Sequence, residues 1–301
     1  MSGILEYSVL DVFAERALEG NQLAVFHDGR DLSTAQMLAI AQEMNLSESV
    51  FVLPEDAEVE RREGVRVRIF TTQEELPFAG HPTLGAASWL YANHATLKGA
   101  EGIVLRENIG PIPVTFAARD EHATGVYATM RQNDPVFGDE HDAAEVAAVI
   151  GMSVDDLLQG YAPQTVSTAN PFCIVALRSV EALRGLAIPQ REATAWLKER
   201  GIRWFYCIAP HKDGWRARMQ WYAGEDPATG SAAGPCIAWL VKSGLAKSEE
   251  DVVIEQGVEM LRPSRITVSA KLSGGVDGEH VREVRVSGRT IPVAEGRLFL
   301  P

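Results

Sequence analysis

Glu48 is the residue whose neighbours best equip it to move a proton. It stands in Asn45-Leu46-Ser47-Glu48-Ser49-Val50-Phe51, where a helical pattern stops and a strand pattern begins. Apolar Val50-Phe51-Val52-Leu53 follows at once, so its carboxylate is expected at the edge of a buried run rather than on a solvated helix face. A carboxyl group partly removed from water has a raised pKa and can both take and return a proton near neutrality. The plainer alternative is an exposed turn glutamate or a helix-capping partner. Two other places combine polar residues with a special backbone. Pro77-Phe78-Ala79-Gly80 is followed by His81; Pro227-Ala228-Thr229-Gly230 is preceded by Asp226 and followed by Ser231. Each opens a helix of small and apolar residues. The first N–H groups of such a helix have no intrahelical partner and point outward with the positive end of the dipole, which favours an anion. The plainer reading is a strand-to-helix turn punctuated by Pro and Gly.

The elements that must position these residues come in two copies. Residues 66–91 read RVRIFTTQEELPFAGHPTLGAASWLY and residues 216–241 read RARMQWYAGEDPATGSAAGPCIAWLV. Arg66/Arg216, Arg68/Arg218, Glu75/Glu225, Pro77/Pro227, Gly80/Gly230, Trp89/Trp239 and Leu90/Leu240 are identical without a gap. Gly20-Asn21-Gln22-Leu23-Ala24-Val25 aligns with Ala169-Asn170-Pro171-Phe172-Cys173-Ile174 in nearly the same register. A repeat this long is not a solenoid or propeller period; it predicts two similar domains facing each other across a cleft. The two helices carry almost no charge, so each is expected to be a central helix wrapped by strands. Trp89 and Trp239 fall at equivalent helical positions, where packing against the sheet is the expected role.

Periodicity adds the remaining elements. Tyr7–Phe13, Leu23–Phe26 and Val50–Leu53 read as strands, with a helix between the last two that starts at Ser33 and stops near Asn45. Ile103–Arg106, Ile112–Phe116 and Gly125–Met130 follow as strands, with the inter-domain crossing expected at the polar segment Ala118–Thr124. Helical segments are expected near Ala143–Ile150, Val154–Gln159 and Gln190–Arg200, and strands at Phe172–Leu177 and Arg203–Ile208. Val252–Ile254, Arg265–Ala270, Val281–Val286 and Ile291–Val293 complete the set as strands. The fold class is α+β and sheet-rich. The domains are drawn at 1–120 and 121–301, with a last strand near residues 295–301 returning to the N-terminal lobe.

Composition excludes several classes. The chain has 301 residues, 46% of them hydrophobic, enough for two ordinary cores. No stretch approaches a membrane span and the N-terminus lacks a secretion signal, so the cytoplasm is the expected location. A formal charge of −13 without a basic run argues against nucleic acid. Cys173, Cys207 and Cys236 show no Cys-x-x-Cys spacing and sit in apolar surroundings, which predicts buried free thiols. No histidine pair has helical metal-ligand spacing, and Gly-x-Gly-x-x-Gly, Walker and Gly-x-Ser-x-Gly loops are absent, so no metal, nicotinamide, flavin or nucleotide cofactor and no serine hydrolase is expected.

Asp11-Val12-Phe13 with Gly20-Asn21, Asn45-Leu46-Ser47-Glu48-Ser49, Arg68-Ile69-Phe70, Gly80-His81-Pro82-Thr83-Leu84-Gly85, Ala169-Asn170-Pro171-Phe172 and Glu225-Asp226-Pro227-Ala228-Thr229-Gly230-Ser231-Ala232 together resemble the PhzF-like phenazine biosynthesis proteins. Gln256-Gly257 with Arg262-Pro263-Ser264 is similar to that family's closing motif. The resemblance implies the diaminopimelate epimerase-like fold, a cofactor-independent isomerase and a homodimer. It makes Glu48 the proton shuttle, places His81 and Asp226 along the substrate, and assigns Gly80, Gly230 and Ser231 to the helix starts that hold a substrate carboxylate. Ser47 is an additional hydrogen-bond donor beside Glu48, and Asn21 is a weaker candidate. Gln22 stands where the family usually has proline after Gly-Asn, and Ser49 where it usually has threonine; neither is an expected catalytic atom.

Epimerase and racemase relatives of that fold use two cysteines, one at each helix start. Here those starts hold Gly80-His81 and Gly230-Ser231, and Cys236 lies more than a turn into its helix. A shift of a proton along an unsaturated system suits one carboxylate better than inversion at a carbon. The competing reading is a non-catalytic small-molecule-binding or interaction protein that keeps the fold.

Overall fold

The computed structural model describes residues 3–118, 124–212, 214–221, 224–275 and 278–300. The chain divides into two compact units, Met1–Arg131 with Ser287–Pro301, and Gln132–Val286.

In the first unit, β1 (Ile4–Val12) and β2 (Asn21–Phe26) form an antiparallel pair; α1 (Thr34–Met44) then crosses over so that β3 (Glu48–Leu53) lies parallel to β2. A parallel pair needs such a crossover. Ser33 caps α1 in a capping box with Gln36, and Asn45 ends it at φ 50°, in the left-handed region asparagine tolerates. Met37, Ile40 and Ala41 pack this helix against Phe26, Phe51 and Phe70. After α2 (Ala57–Glu63), β4 (Val65–Phe70) pairs antiparallel with β3 and with the short β5 (Glu75–Leu76). Next comes α3 (Gly80–Asn93), then β6 (Gly102–Glu107) parallel to β4, and β7 (Gly110–Phe116) and β8 (Val126–Arg131) as antiparallel additions.

The second unit repeats this plan. After β9 (Val136–Glu140), α4 (Ala143–Val149) and a single 3₁₀ turn at Val154–Asp156 come β10 (Gln164–Ser167) and β11 (Pro171–Ala176), antiparallel like β1 and β2. Helices α5 (Val180–Arg184) and α6 (Gln190–Glu199) make the crossover to β12 (Trp204–His211), parallel to β11. Strand β13 (Gly214–Trp221) pairs antiparallel with β12 and with β14 (Gly224–Asp226); α7 (Gly230–Lys242) follows, then β15 (Val252–Gln256) parallel to β13 and β16 (Ser264–Gly275) antiparallel to β15. The sequence of pairings, antiparallel, parallel, antiparallel, parallel, antiparallel, is the same in both units.

The last strand, β17 (Gly278–Phe299), carries the chain back to the first unit, where it pairs with β1 from Ile4↔Phe299 to Val12↔Thr290. Pairing of β8 with β17 closes the first unit's sheet into a ring around α3. Ten of the fourteen residues of α3 are buried, and twelve of the thirteen of α7, as their lack of charge predicts for central helices.

Several boundaries differ from the sequence reading. The expected crossing at Ala118–Thr124 falls largely on residues 119–123, which lie outside the described residues. The division comes at Arg131/Gln132 instead of 120/121, because β8 still pairs with β7 through Val114↔Met130; the returning segment is Ser287–Pro301, longer than residues 295–301. Val154–Gln159 is only one 3₁₀ turn, since Leu157 already leaves the helical conformation at ψ 152°. Val281–Val286 and Ile291–Val293 are parts of one strand, which continues through the polar residues between them. No described helix is long and apolar enough to cross a membrane.

Candidate active site

Both central helices start from the same clamp. In the first unit Arg68 on β4 grips Glu75 on β5, its Nε donating to Oε1 at 2.8 Å and its Nη2 to Oε2. In the second, Arg218 on β13 grips Glu225 on β14 at 2.9 and 2.6 Å. Bidentate guanidinium–carboxylate pairs fix geometry as well as charge, and here each fixes the hairpin that turns through Pro77 or Pro227 into the helix. Neither helix start is capped by a side chain: Ala79 has none to offer, and the Thr229 hydroxyl makes no cap bond. The first N–H groups therefore keep their capacity for an anion.

At the start of α3, His81 is buried, 3% exposed. Its Nδ1 lies 3.2 Å from the amide nitrogen of Asn21, the first residue of β2. Gly20 sets Asn21 in place: it adopts φ +68°, and a Cβ there would sit 2.3 Å from the Val12 carbonyl oxygen. On its other side, Nε2 of His81 lies 3.6 Å from Oε2 of Glu48, whose side chain is 17% exposed at the first position of β3. Burial pushes the His81 pKa down to about 3, a hydrogen bond with the Gln22 backbone raising it only in part. The ring is neutral at physiological pH, so this contact is not an ion pair. Nδ1 faces Asn21 and Nε2 faces Glu48. Nε2 has no hydrogen-bond partner. Ser47 and Gly80 adjoin Glu48 and His81 in the chain, so the structure brings four of the candidate residues to one part of the first unit.

Asp226, Gly230 and Ser231 belong to the second unit, in one turn between β14 and α7. Asp226 is buried and its Oδ2 accepts from Thr229 Oγ1 at 2.6 Å. Gln256, fully buried at the end of β15, ties the turn together. Its amide nitrogen donates to the Asp226 carbonyl at 2.8 Å, and its oxygen accepts from Thr229 N at 3.1 Å and Tyr206 Oη at 3.0 Å. Gln132 lies against the first turn of α7 and donates to the Gly230 carbonyl at 2.9 Å; it needs Gly234 beside it, where a Cβ would come within 1.9 Å of the Gln132 amide oxygen.

Glu107 escaped the sequence reading. It ends β6 as Gln256 ends β15, 149 residues earlier. Thr83 Oγ1 lies 2.7 Å from the Ala79 carbonyl and 2.5 Å from Glu107 Oε1. A hydroxyl has one proton and a carbonyl can only accept, so both contacts are hydrogen bonds only if Glu107 is the neutral acid and donates to Thr83. Burial, opposed in part by Thr83 and Arg66, pushes its pKa up to about 8, in agreement. The signal was available: in Ile103-x-Leu105-x-Glu107 the glutamate takes the inward position of an alternating strand.

All three cysteines are buried and free, Cys173 on β11, Cys207 on β12 and Cys236 inside α7. Burial raises each thiol, that of Cys207 to about 12. Among the described residues no cluster of three or more His, Cys, Asp or Glu could hold a metal ion.

The phenazine biosynthesis-like family profile matches residues 10–296. The chain belongs to the phenazine biosynthesis-like family. It is 37% identical over 298 residues to a trans-2,3-dihydro-3-hydroxyanthranilate isomerase of Pseudomonas aeruginosa, covering 98% of this chain and 99% of that one. A solved Pseudomonas aeruginosa structure described as a predicted epimerase is 37% identical and superposes with a TM-score of 0.82, covering 98% of this chain and 99% of the other. A hydroxyproline epimerase of Agrobacterium vitis, 12% identical, shares the fold with a TM-score of 0.68 over 99% of this chain and 93% of the other. Relatives of this chain are thus named isomerases, and the fold is that of the diaminopimelate epimerase-like proteins.

Proposed function

We propose that this family member is a cofactor-independent isomerase that moves a proton between carbons of a small unsaturated carboxylic acid, with Glu48 as the single acid/base. The observation that carries the reading is the pairing of a mostly buried Glu48 carboxylate with a neutral His81 whose Nε2 has no hydrogen-bond partner. In the reaction Glu48 takes a proton from one carbon. The electron pair of the broken C–H bond enters the adjoining double bond system, and the protonated Glu48 returns the proton to another carbon of that system. His81, a neutral donor, hydrogen-bonds the substrate oxygen on which charge develops, a role that preorganised donors perform at low dielectric. The uncapped helix start at Gly80 supplies N–H donors for the carboxylate, with Ser47 as a further donor. The relative named for trans-2,3-dihydro-3-hydroxyanthranilate makes cyclic amino- and hydroxy-substituted acids the first class to try.

One carboxylate also explains why the helix starts hold no cysteine: proton return by the same group requires no second thiol. Incubation in deuterated water with a panel of cyclic unsaturated acids, read by mass spectrometry and NMR, tests the proposal. It predicts deuterium at carbon or a shifted double bond for at least one acid. Ligand stabilisation without labelling across the panel would instead favour a binding protein that keeps the fold.

A further inference from the structure

Each unit ends a strand with a side chain that ties down the start of its central helix, and only the first unit's copy can ionise. In the second unit this is Gln256 at the end of β15. Its Nε2 donates to the Asp226 carbonyl and to Thr229 Oγ1, both at 2.8 Å, and its Oε1 accepts from Thr229 N. Thr229 is the residue before α7; its counterpart before α3 is Ala79, which has no hydroxyl to hold. Glu107, at the end of β6, therefore reaches its helix start through an intermediary. It meets Thr83 Oγ1 at 2.5 Å, and Thr83 meets the Ala79 carbonyl with its hydroxyl at 2.7 Å and its N–H at 3.2 Å. All three residues are buried. Residues 79–83 make the first turn of α3, and His81 is the middle one. Pro82 adds no N–H, so Thr83 supplies the bonds that close this turn around His81.

With Glu107 neutral, its acid proton goes to Thr83 and the Thr83 proton to Ala79, so both contacts are hydrogen bonds. Glu107 Oε2 has no hydrogen-bond partner, and the carboxyl acts on the turn through Oε1. An ionised Glu107 can only accept. A charged acceptor outcompetes a neutral carbonyl, so the single Thr83 proton turns to the carboxylate and leaves two oxygens facing each other across 2.7 Å with no proton between them. Few charges bear on this balance. Of the elements packed against β6, β4 brings Arg66, which opposes the effect of burial, and Arg68, which is engaged by Glu75; α3 brings the neutral His81 and Tyr91, and β7 brings none. Burial outweighs Arg66 and puts the Glu107 pKa at about 8. We propose that Glu107 is a positioning residue for His81: as the neutral acid it holds the first turn of α3 closed through Thr83, and its ionisation releases that turn and sets the alkaline limit of the Glu48–His81 site. The activity part of this proposal rests on the isomerase reading above; the coupling of Glu107 to His81 does not.

The test is an NMR titration of the full chain across the alkaline range, without substrate, following the His81 ring nitrogens and the Glu107 carboxyl carbon. In wild type both signals should change together with one midpoint near 8. Glu107→Gln should abolish the His81 step. Thr83→Val keeps the side-chain shape and the acid but removes the hydroxyl; there Glu107 should still titrate while the His81 step loses most of its size, which a purely through-space effect of the carboxylate charge would not do. Turnover of trans-2,3-dihydro-3-hydroxyanthranilate supplies the second readout. Wild-type kcat should fall about tenfold between pH 7 and 9, as for a group of pKa near 8 that must stay protonated, and Glu107→Gln should lack that limb relative to its own value at pH 7. A His81 ring that does not follow Glu107, a His81 step undiminished in Thr83→Val, or the same alkaline limb in Glu107→Gln would overturn the proposal. A coupled His81 titration with no turnover in any of the proteins would support the positioning role and count against the isomerase reading instead.

Discussion

His81 Nε2 and Glu48 Oε2 lie 3.6 Å apart in the first unit, yet the imidazole is neutral because burial holds its pKa near 3. The pair is a neutral imidazole beside a carboxyl group, and its two groups come from helix and strand starts 33 residues apart in the chain.

The first consequence concerns acid. A histidine whose folded pKa is depressed from 6.5 to about 3 stays unprotonated in the native state while the unfolded chain takes up a proton. Stability tied to His81 is therefore complete above pH 6.5 and declines as pH falls toward 3, by roughly 5 kcal/mol at most. Thermal melts of wild type and His81→Gln between pH 7 and 4 should show a shallower acid slope in the variant. Nitrogen NMR of the ring should report the Nε2–H tautomer at pH 7; an imidazolium there would refute the neutral-donor role.

Glu107 predicts the opposite limb. Its folded pKa is raised from 4.5 to about 8, so the stability it lends is complete below pH 4.5 and is lost as pH rises through 8. Glu107→Gln keeps a neutral donor to Thr83 and cannot ionise. Its Tm should fall less than wild type's between pH 6 and 9, with a stability gain of a few kcal/mol at the alkaline end. Parallel curves for the two proteins would show that Glu107 is not the buried acid inferred from the Thr83 geometry.

The Arg218–Glu225 clamp is the more enclosed of the two, its side chains 9% and 13% exposed. Removing one partner of a buried pair leaves an uncompensated charge and costs about 3–5 kcal/mol. Glu225→Gln should lower the urea midpoint sharply, and Glu75→Gln, whose pair is 18% and 21% exposed, should do so less. Equal effects would mean that burial does not govern the clamps.

Cys236 is the only thiol on a central helix, fully buried with its pKa raised by desolvation. Isomerase turnover in Cys236→Ala is expected within about threefold of wild type, since general acid–base groups are worth about 10²–10⁴ and the proposed mechanism does not use this one. A loss of a thousandfold would restore a thiol mechanism.

Much of this was legible in the chain because duplication repeats the residues that do structural work. Arg68 and Arg218, Glu75 and Glu225, Pro77 and Pro227 could be matched by eye, and they proved to be the clamps and turns before α3 and α7. Glu48 was marked by the apolar run it introduces. What was hidden was long-range or weakly patterned. The Asn21–His81 contact joins residues 60 apart and leaves no periodic trace. Helix α2 is mostly charged and shows no apolar stripe, and the polar residues between Val286 and Ile291 read as a break although β17 runs through them. Thr229 and Gln256 carry no chemistry of their own; only their bonds to Asp226 reveal what they hold.

The most direct test is proton transfer itself. With trans-2,3-dihydro-3-hydroxyanthranilate, or whichever acid the panel labels, in deuterated water, wild type should form isomerised product carrying deuterium at the receiving carbon. Glu48→Gln should bind that acid with affinity within a few-fold of wild type yet lose at least about 10³ in turnover. Isomerisation by Glu48→Gln at a rate near wild type would contradict the account at its centre.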